Sequence, residues 1–288
     1  MSTTKKVSDF ASALASTLKG AVKIVLQSRV TRKPAPAKGE SVVILANGPS
    51  LRGTVDTYGA MLRRMPALAV NFFANTPEFT ELKPAYYVLA DPHFFRSQGQ
   101  ANVESLWRNL AAASWPLSLS VPACCRKEAL RRLGPDARNV TLATFNFVGV
   151  EGFVGFERFA YSHGLAMPRP RNVLLPALMT AMRAGFTRIY ITGADHSWLG
   201  TVQVNDRNEV VSVQPHFYAD SKAETTRSVT EYKGYRLHDI LRSFYVAFES
   251  YHRLQRYARA RGINIVNATP GSFIDAFERG TLDEIVKN

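Results

Sequence analysis

Seven short apolar segments alternate with helix-like segments from Ser41 onward. The apolar segments are rich in Val, Ile, Leu and Tyr, which favour strands, whereas the segments between them repeat apolar residues with helical spacing. This alternation predicts a mostly parallel sheet with helices on both faces. The predicted strands are 41–46, 67–71, 86–90, 116–121, 140–145, 188–192 and 263–267, and the predicted helices are 54–65, 101–113, 125–133, 172–184 and 237–260.

Residues 196–236 interrupt the alternation with a polar insertion. Within it, residues 205–208 read Asn-Asp-Arg-Asn, a turn-forming sequence between two Val-rich pieces. Long insertions of this kind often carry binding or catalytic groups. We therefore expect a mobile lid or a small subdomain at about 196–236.

Residues 1–38 differ from the rest of the chain in pattern and in charge. Apolar residues recur at intervals of four from Phe10 to Val22, so a helix here carries one apolar stripe. The segment holds +7 of the formal net charge of +13 and ends in a Pro-rich linker. Residues 1–38 can form an anchor on an anionic membrane surface, a frayed leader, or a helix packed on its own domain. The sequence does not decide among these three interpretations. We divide the chain into this segment and a domain of residues 39–288.

The charge of the remaining domain argues against a nucleic-acid binder. Residues 39–288 carry only +6, which suits a phosphorylated small molecule, and they contain no recognisable nucleic-acid-binding motif. Cys124 and Cys125 are adjacent, an arrangement unsuited to an ordinary disulfide or to a metal site. We therefore expect the protein to reside in a reducing cytoplasm. No apolar run reaches the roughly 18 residues that a membrane-spanning helix needs.

The first predicted strand runs into a glycine-containing turn, Asn47-Gly48-Pro49-Ser50. In a parallel sheet this turn faces the ligand crevice, where Gly48 permits close approach and successive free N–H groups before a helix suit a phosphate. The sequence matches neither a P-loop nor the dinucleotide-binding GxGxxG pattern. A tight turn in which Ser50 caps the helix is the structural alternative.

Polar side chains also end the next two predicted strands, at Asn71 and Asp91. Together with Asn47 they are expected to converge at one edge of the sheet, where base, ribose and phosphate contacts are made. Each residue alone is equally typical of a turn or a helix cap.

The strand 188–192 leads into Gly193, Asp195 and His196. An Asp beside a His is compatible with acid/base chemistry, with metal ligation or with a structural hydrogen bond. We expect no metal, because the chain lacks an HxH or HxxxH companion and an Asp-x-Asp motif.

Two later motifs are also candidates for a site. Residues 214–222 place His216, Tyr218 and Asp220 in one stretch of the polar insertion. Residues 267–272 read Asn-Ala-Thr-Pro-Gly-Ser and are expected to turn into a helix whose N-terminus accepts an anion.

As an ordered set, these motifs resemble those of bacterial sialyltransferases of glycosyltransferase family 42, over about residues 41–280. They also resemble a related group found with surface-polysaccharide genes and labelled hydroxymethylpterin pyrophosphokinase-like. The resemblance implies one Rossmann-like domain, a variant of the GT-A fold, with a lid. It further implies a CMP-activated donor as co-substrate, no separate cofactor, and inverting transfer without a metal ion.

The resemblance also assigns roles to individual residues. A lid histidine acts as base in the family. We place that role on His216, with Asp220 and His196 as alternatives, because a histidine titrates near neutral pH. The family's Ser-Gly donor element falls near Asn172 and is not preserved. The implied donor-binding residues are Asn47, Gly48, Ser50, Asn71, Gly193, Asp195 and Tyr218. We add Asp91 from the convergence of the strand ends and Asn172 from its position at the donor element.

These implications lead to a specific expectation and one alternative. We expect a cytoplasmic glycosyltransferase, peripheral at the inner face of the bacterial inner membrane if residues 1–38 bind it. Its donor would be a CMP-linked sialic acid-like or Kdo-like sugar, and its acceptor a glycan or glycolipid of lipopolysaccharide or capsule. The alternative is a pyrophosphokinase-like enzyme that uses ATP and magnesium on a pterin-type substrate.

Overall fold

A computed structural model of the chain describes residues 3–286 except Gln98, residues 213–231 and Lys233. It contains an eight-stranded sheet and a separate two-stranded hairpin. The strands of the large sheet are β1 (Ser41–Leu45), β2 (Ala67–Val70), β3 (Tyr86–Val88), β4 (Leu117–Pro122), β5 (Val140–Phe145), β6 (Arg188–Thr192), β9 (Asn264–Asn267) and β10 (Glu278–Arg279). The hairpin consists of β7 (Gln203–Val204) and β8 (Val210–Val211).

The strand order in the large sheet is β10-β9-β6-β1-β2-β3-β4-β5, and neighbouring strands are parallel. From β1 the chain adds strands in one direction as far as β5, and it then returns to place β6 on the other side of β1. In open α/β sheets this reversal opens a crevice outside the carboxyl ends of the two strands where it occurs. The topology therefore predicts a ligand site outside the carboxyl ends of β1 and β6.

Helices cover both faces of the sheet, which confirms the predicted Rossmann-like α/β class. The helices are α1 (Thr3–Gln27), α2 (Leu51–Leu62), α3 (Pro77–Leu82), α4 (His93–Arg96), α5 (Ala101–Ala111), α6 (Arg126–Leu133), α7 (Val154–Ser162), α8 (Leu174–Ala184), α9 (Leu237–Arg259) and α10 (Asp283–Val286). One core lies between the sheet and α2, α3, α5 and α6, and the other lies between the sheet and α7, α8 and α9.

The two cores explain why the strands are almost continuously apolar in sequence. In β1, Val42 and Ile44 belong to one core, whereas Val43 and Leu45 belong to the other, and all four side chains are fully buried. Strands buried on both faces need no polar residue in every second position.

The predicted Pro-rich linker, residues 31–38, lies against the sheet. The Arg32 N–H donates to Thr144 Oγ1 at 2.8 Å, and the Ala35 N–H donates to Ser118 Oγ at 3.0 Å. The segment thus crosses β5 and then β4 before the chain enters β1. An extended path suits its prolines, which have no N–H to donate.

The predicted strands and helices are present, with bounds within three residues of those expected. The prediction of a helix after Ser272 is wrong, because residues 272–277 form a loop that leads to β10. The reason is that the Ser272 hydroxyl donates to the Ala194 carbonyl and accepts the Ile274 N–H, which holds the chain in a non-helical turn.

Candidate functional site

The turns that follow β1 and β6 are hydrogen-bonded to each other beyond the ends of the strands. The Ala46 N–H donates to the Thr192 carbonyl at 2.9 Å, and the Gly48 N–H donates to the Gly193 carbonyl at 2.7 Å. The two loops that leave the switch point therefore begin in contact. A ligand in the crevice would meet a wall built from both.

Both glycines are required because there is no space for a side chain. A Cβ on Gly48 would lie 1.9 Å from Asp195 Oδ2 and 2.5 Å from the Gly193 oxygen. A Cβ on Gly193 would lie 2.3 Å from the Ala46 oxygen, and Gly193 also has a φ of +66°. Any larger residue would separate the two turns.

Asp195 lies at the N-terminus of α2. Ser50 Oγ donates to Asp195 Oδ2 at 2.9 Å, and the Ser50 backbone N–H donates to the same carboxylate. The Ser50 side chain is thus directed to Asp195 and does not cap its own helix. The alternative prediction, that the Ser50 side chain caps α2, is wrong. Asp195 instead supplies the negative charge that the N-terminus of this helix favours.

The backbone N–H groups that were predicted to hold a phosphate are already paired. Gly48 donates to the β6 turn, Ser50 donates to Asp195, and Leu51 donates to the Gly48 carbonyl at 3.1 Å. Pro49 has no N–H. The prediction of successive free N–H groups at this turn is therefore wrong.

Partial burial raises the pKa of the Asp195 carboxyl above its ordinary value, because desolvation disfavours the charged form. The hydrogen bonds from Ser50 and from the N–H of Asp195 itself act in the opposite direction. The result is a partly desolvated hydrogen-bond acceptor, a group that binds hydroxyl donors and repels phosphate.

A hydrogen-bonded network joins His196 to the N-terminus of α8. Tyr251 Oη lies 2.9 Å from Asn172 Oδ1 and 2.7 Å from His196 Nε2. Asn172 Oδ1 also accepts the Leu174 N–H at 3.1 Å, and because an amide oxygen can only accept, the Tyr251 hydroxyl must donate to it. Asn172 Nδ2 lies 3.3 Å from the same His196 Nε2, so this ring nitrogen is within hydrogen-bond distance of both Tyr251 and Asn172.

The His196 ring lies among aromatic side chains. Its centroid is 5.0 Å from that of Trp198, 5.6 Å from Tyr251 and 6.3 Å from Phe248. Burial lowers the pKa of His196 to about 4, because this environment disfavours the imidazolium ion. Its φ of +52° lies in the left-handed region, which is uncommon for residues other than glycine.

Asp195 and His196 therefore have separate partners, one on the β1 side of the crevice and one on α9. The sequence left three roles open for this pair: acid/base chemistry, metal ligation and a structural hydrogen bond. The contacts that the structure shows are hydrogen bonds within the fold. Among the residues that the structure describes, no group of three or more His, Cys, Asp or Glu side chains could hold a metal ion.

Asn47 and Asn71 join the carboxyl ends of β1, β2 and β3. Asn47 is buried, and its Nδ2 donates to the Val70 carbonyl at 3.1 Å. Asn71 has a φ of +51°, and its carbonyl accepts the Tyr87 hydroxyl at 2.6 Å. The structure thus brings these strand ends together as predicted, and the contacts named here are structural.

Asp91, the third residue of the predicted convergence, is exposed beyond β3. Its Oδ1 accepts the His93 N–H at 2.8 Å, at the start of α4. This contact is the turn-forming alternative that an Asp at a strand end also predicts.

A cleft of about 930 Å³ opens at the carboxyl ends of β1 and β9. Ser50 and the first turn of α2 form one wall, and residues 267–273 after β9 form the other. Arg279 contributes a cation to the lining and donates to the Ser272 carbonyl. The volume is in the range of small-molecule sites, which is about 300–1,000 Å³.

Residues after β9 hold the β6 turn from the side opposite to β1. Thr269 Oγ1 accepts the Ala194 N–H at 3.1 Å, and Ser272 Oγ donates to the Ala194 carbonyl at 2.7 Å. Asn267 Nδ2 in turn donates to Ser272 Oγ at 3.1 Å. The sequence predicts an anion site at residues 267–272. In the structure, the buried side chains of this motif hold the turn that follows β6.

A second cleft, of about 490 Å³, lies beside the His196 network. Arg171 and Arg242 line it together with Asn172 and Trp198. Sequence analysis placed Asn172 near the donor but missed Tyr251, because only the fold brings this helical tyrosine to His196. The remaining candidates His216, Tyr218 and Asp220 lie outside the described residues.

No protein-family model matches the chain, and a search of curated proteins finds no match. Among solved structures, it is similar to the MAf glycosyltransferase from Magnetospirillum magneticum AMB-1, with a TM-score of 0.46 and 11% sequence identity. The likeness covers 96% of this chain but only 41% of the length of that protein. A likeness at this level carries no argument about function.

Gly48→Ala and Gly193→Ala are each expected to lower the free energy of unfolding by about 2–3 kcal/mol, because a methyl group overpacks the contact between the turns. Gly53→Ala is the matched control: this α2 position has nothing within 4 Å of an added Cβ. The control should gain about 0.5–1 kcal/mol from helix propensity. Urea unfolding measures all three, and wild-type stability of Gly48→Ala would contradict the packing described.

His196 is expected to make stability depend on pH. The pKa is about 4 in the folded chain against 6.5 for an unperturbed histidine. The unfolded chain therefore binds more protons between these values, so stability is complete above pH 6.5 and falls as the pH drops toward 4. His196→Asn, which tolerates the left-handed backbone, should flatten that slope in urea titrations at several pH values. Equal slopes for the two proteins would show that His196 is not buried as a neutral ring.

Proposed function

We propose that this chain is a glycosyltransferase that binds a nucleotide-sugar donor across the carboxyl ends of β1 and β6. The observation that carries the proposal is the closed pair of glycine turns at the switch point, held together beside the Ser50–Asp195 hydrogen bond. Nucleotides bind at this position in open α/β sheets. The motifs that resemble family 42 transferases include both turns.

The chemistry of Asp195 favours the ribose as its ligand. A carboxylate accepts hydrogen bonds from vicinal hydroxyl groups, as acidic residues do in dinucleotide-binding sheets. The Ser50 hydroxyl and N–H hold Asp195 in place, so its orientation does not depend on the ligand. We therefore assign to Asp195 the contact with the donor ribose.

The phosphate then needs another partner, because Asp195 lies at the N-terminus of α2. Arg279 lines the same cleft as Ser50, and a guanidinium is well suited to a phosphate. We assign the donor phosphate to the Arg279 side of the cleft. This assignment moves the phosphate away from the turn where the sequence alone had placed it.

Glycosyl transfer also needs a base for the acceptor. The acceptor oxygen bonds to the anomeric carbon, the bond from that carbon to the phosphate oxygen breaks, and the acceptor proton passes to the base. A pKa of about 4 makes His196 a weak base near neutral pH. We therefore keep His216 as the proposed base, with Asp220 as its alternative, on the resemblance alone, and give His196 a positioning role.

The finer parts of the proposal rest on the same resemblance. They are a CMP-linked sialic acid-like or Kdo-like donor, inversion at the anomeric centre without a metal ion, and an acceptor in a bacterial surface glycan. Asn47 and Asn71 shape the floor of the crevice in this proposal, through the contacts between the strand ends.

We expect CMP to raise the melting temperature of the wild-type protein without magnesium. Asp195→Asn should weaken this binding at least about tenfold, because a carboxamide loses acceptor strength toward the ribose hydroxyls. Asp275→Asn is the matched control, since Asp275 is an exposed carboxylate whose side chain lies 3.2 Å from His252 and not at the turns after β1 and β6. Thermal-shift titrations with CMP, CTP and ATP, with and without magnesium, make the measurement.

Three outcomes would contradict the proposal. One is a response only to ATP with magnesium, which would favour the pyrophosphokinase-like alternative. Another is equal CMP binding by wild type and Asp195→Asn. The third is that no CMP-linked or other nucleotide sugar is bound, hydrolysed or used for transfer.

A further inference from the structure

The apolar stripe of α1 faces solvent. Its large apolar side chains are between 42% and 81% exposed. They recur at intervals of three and four, so they share one side of the helix. Helices of globular proteins normally turn such a stripe toward the core. The residues of this stripe are Val7, Phe10, Leu14, Leu18, Val22 and Val25.

α1 contacts the domain through a side of the helix that adjoins one edge of the stripe, where the Phe10 and Phe153 ring centroids are 5.3 Å apart. Thr17 Oγ1 accepts the Phe153 N–H at 2.9 Å, and a Cβ on Gly152 would lie only 2.1 Å from that oxygen. Gly20 is buried, with a position for a Cβ only 2.9 Å from the Phe156 ring. The helix is therefore fixed to the domain in a way that leaves its apolar stripe outward.

Basic residues accompany the stripe. Lys5, Lys6, Lys19 and Lys23 lie on α1, and Asp9 is its one acidic residue. None of these lysines forms an ion pair with another residue in the part of the chain that the structure describes. By helical spacing, Lys6 and Lys19 lie near the two borders of the stripe, whereas Lys5 and Lys23 lie on the opposite side, where Lys23 Nζ donates to the Gly149 carbonyl at 3.3 Å.

The position of α1 relates it to the crevice. It rests on residues 149–156, which follow the carboxyl end of β5. The crevice lies at the same edge of the sheet, at the carboxyl ends of β1 and β6. A surface that binds the stripe would therefore contact the molecule near the edge that carries the candidate site.

We propose that α1 docks on an anionic lipid surface, parallel to the membrane plane, with its apolar stripe inserted between the headgroups. An amphipathic helix with a basic border binds anionic lipid in this way. No helix among the described residues is long and apolar enough to cross a membrane. The proposal does not depend on the proposed function, since it concerns a different surface and needs no nucleotide.

Charge favours lipid over a second copy of the chain as the occupant. In a symmetric pair of α1 helices, Lys6 and Lys19 at the borders of one stripe would approach those of the other, and like charges across an interface are unfavourable. An anionic headgroup layer instead neutralises them. The same lysines thus oppose one occupant and favour the other.

The test is sedimentation of the full chain with vesicles, without nucleotide. Wild type should bind vesicles of one part phosphatidylglycerol to two parts phosphatidylcholine, and bind phosphatidylcholine alone at least about tenfold more weakly. High salt should weaken binding to the anionic vesicles. Leu14→Gln/Leu18→Gln should lower the partition coefficient at least about tenfold, because two apolar side chains no longer insert.

Matched variants separate the stripe from general effects. Leu130→Gln/Val204→Gln changes two exposed apolar residues outside α1 and should bind like wild type. Lys6→Gln/Lys19→Gln should weaken binding about tenfold or more, whereas Lys83→Gln/Lys127→Gln, two exposed lysines elsewhere, should not. The lysine pair also keeps the test decisive if the leucine variant fails to fold.

The proposal is overturned if wild type does not bind the anionic vesicles, or if the leucine and lysine variants on α1 bind as well as their controls. It is also overturned if sedimentation velocity without lipid shows a stable dimer that Leu14→Gln/Leu18→Gln dissociates, since the stripe would then be a protein interface. Full lipid binding by a protein that binds no nucleotide would support this proposal and count only against the proposed function.

Discussion

The close approach of the turns after β1 and β6 is the constraint on which the site depends. Gly48 and Gly193 touch backbone to backbone, and neither position has room for a Cβ. The contact extends the pairing of β1 and β6 past their ends, so the crevice at the switch point has a rigid floor. Asp195 and His196 follow Gly193 after the single residue Ala194, so this contact helps to set their positions.

The two polar residues beyond the contact are held in different ways. Asp195 is fixed by Ser50 at a helix N-terminus and keeps its character as an acceptor for hydroxyl groups. His196 is fixed by Tyr251 and Asn172 and is kept neutral by burial. One side of the crevice thus offers a carboxylate and the other a constrained neutral ring, and in our proposal these two groups orient the nucleotide sugar.

The sequence was sufficient for the sheet but not for the electrostatics of the site. Strand and helix periodicity is local, so seven of the eight strands could be predicted, whereas β10 follows a segment where a helix was expected. Gly48 was predicted to allow close approach to a ligand, and the structure shows close approach to the turn after β6. The pairing of Ser50 with Asp195 joins residues far apart in sequence, and it removes the N–H groups that a local motif seems to offer a phosphate. The outward stripe of α1 was equally hidden, because which side of a helix docks is decided by its neighbours.

Hydrogen exchange with and without millimolar CMP tests the central claim most directly, because it locates the nucleotide without assuming a reaction. The account predicts that amides of residues 46–54 and 192–198 gain protection together, since one ligand would contact both turns. Gly155→Ala, at an exposed position of α7 where an added Cβ meets nothing within 4 Å, should show the same pattern, and Gly193→Ala should lose it. Protection confined to other parts of the chain, or none at saturating CMP, would contradict a nucleotide site at the β1–β6 switch point.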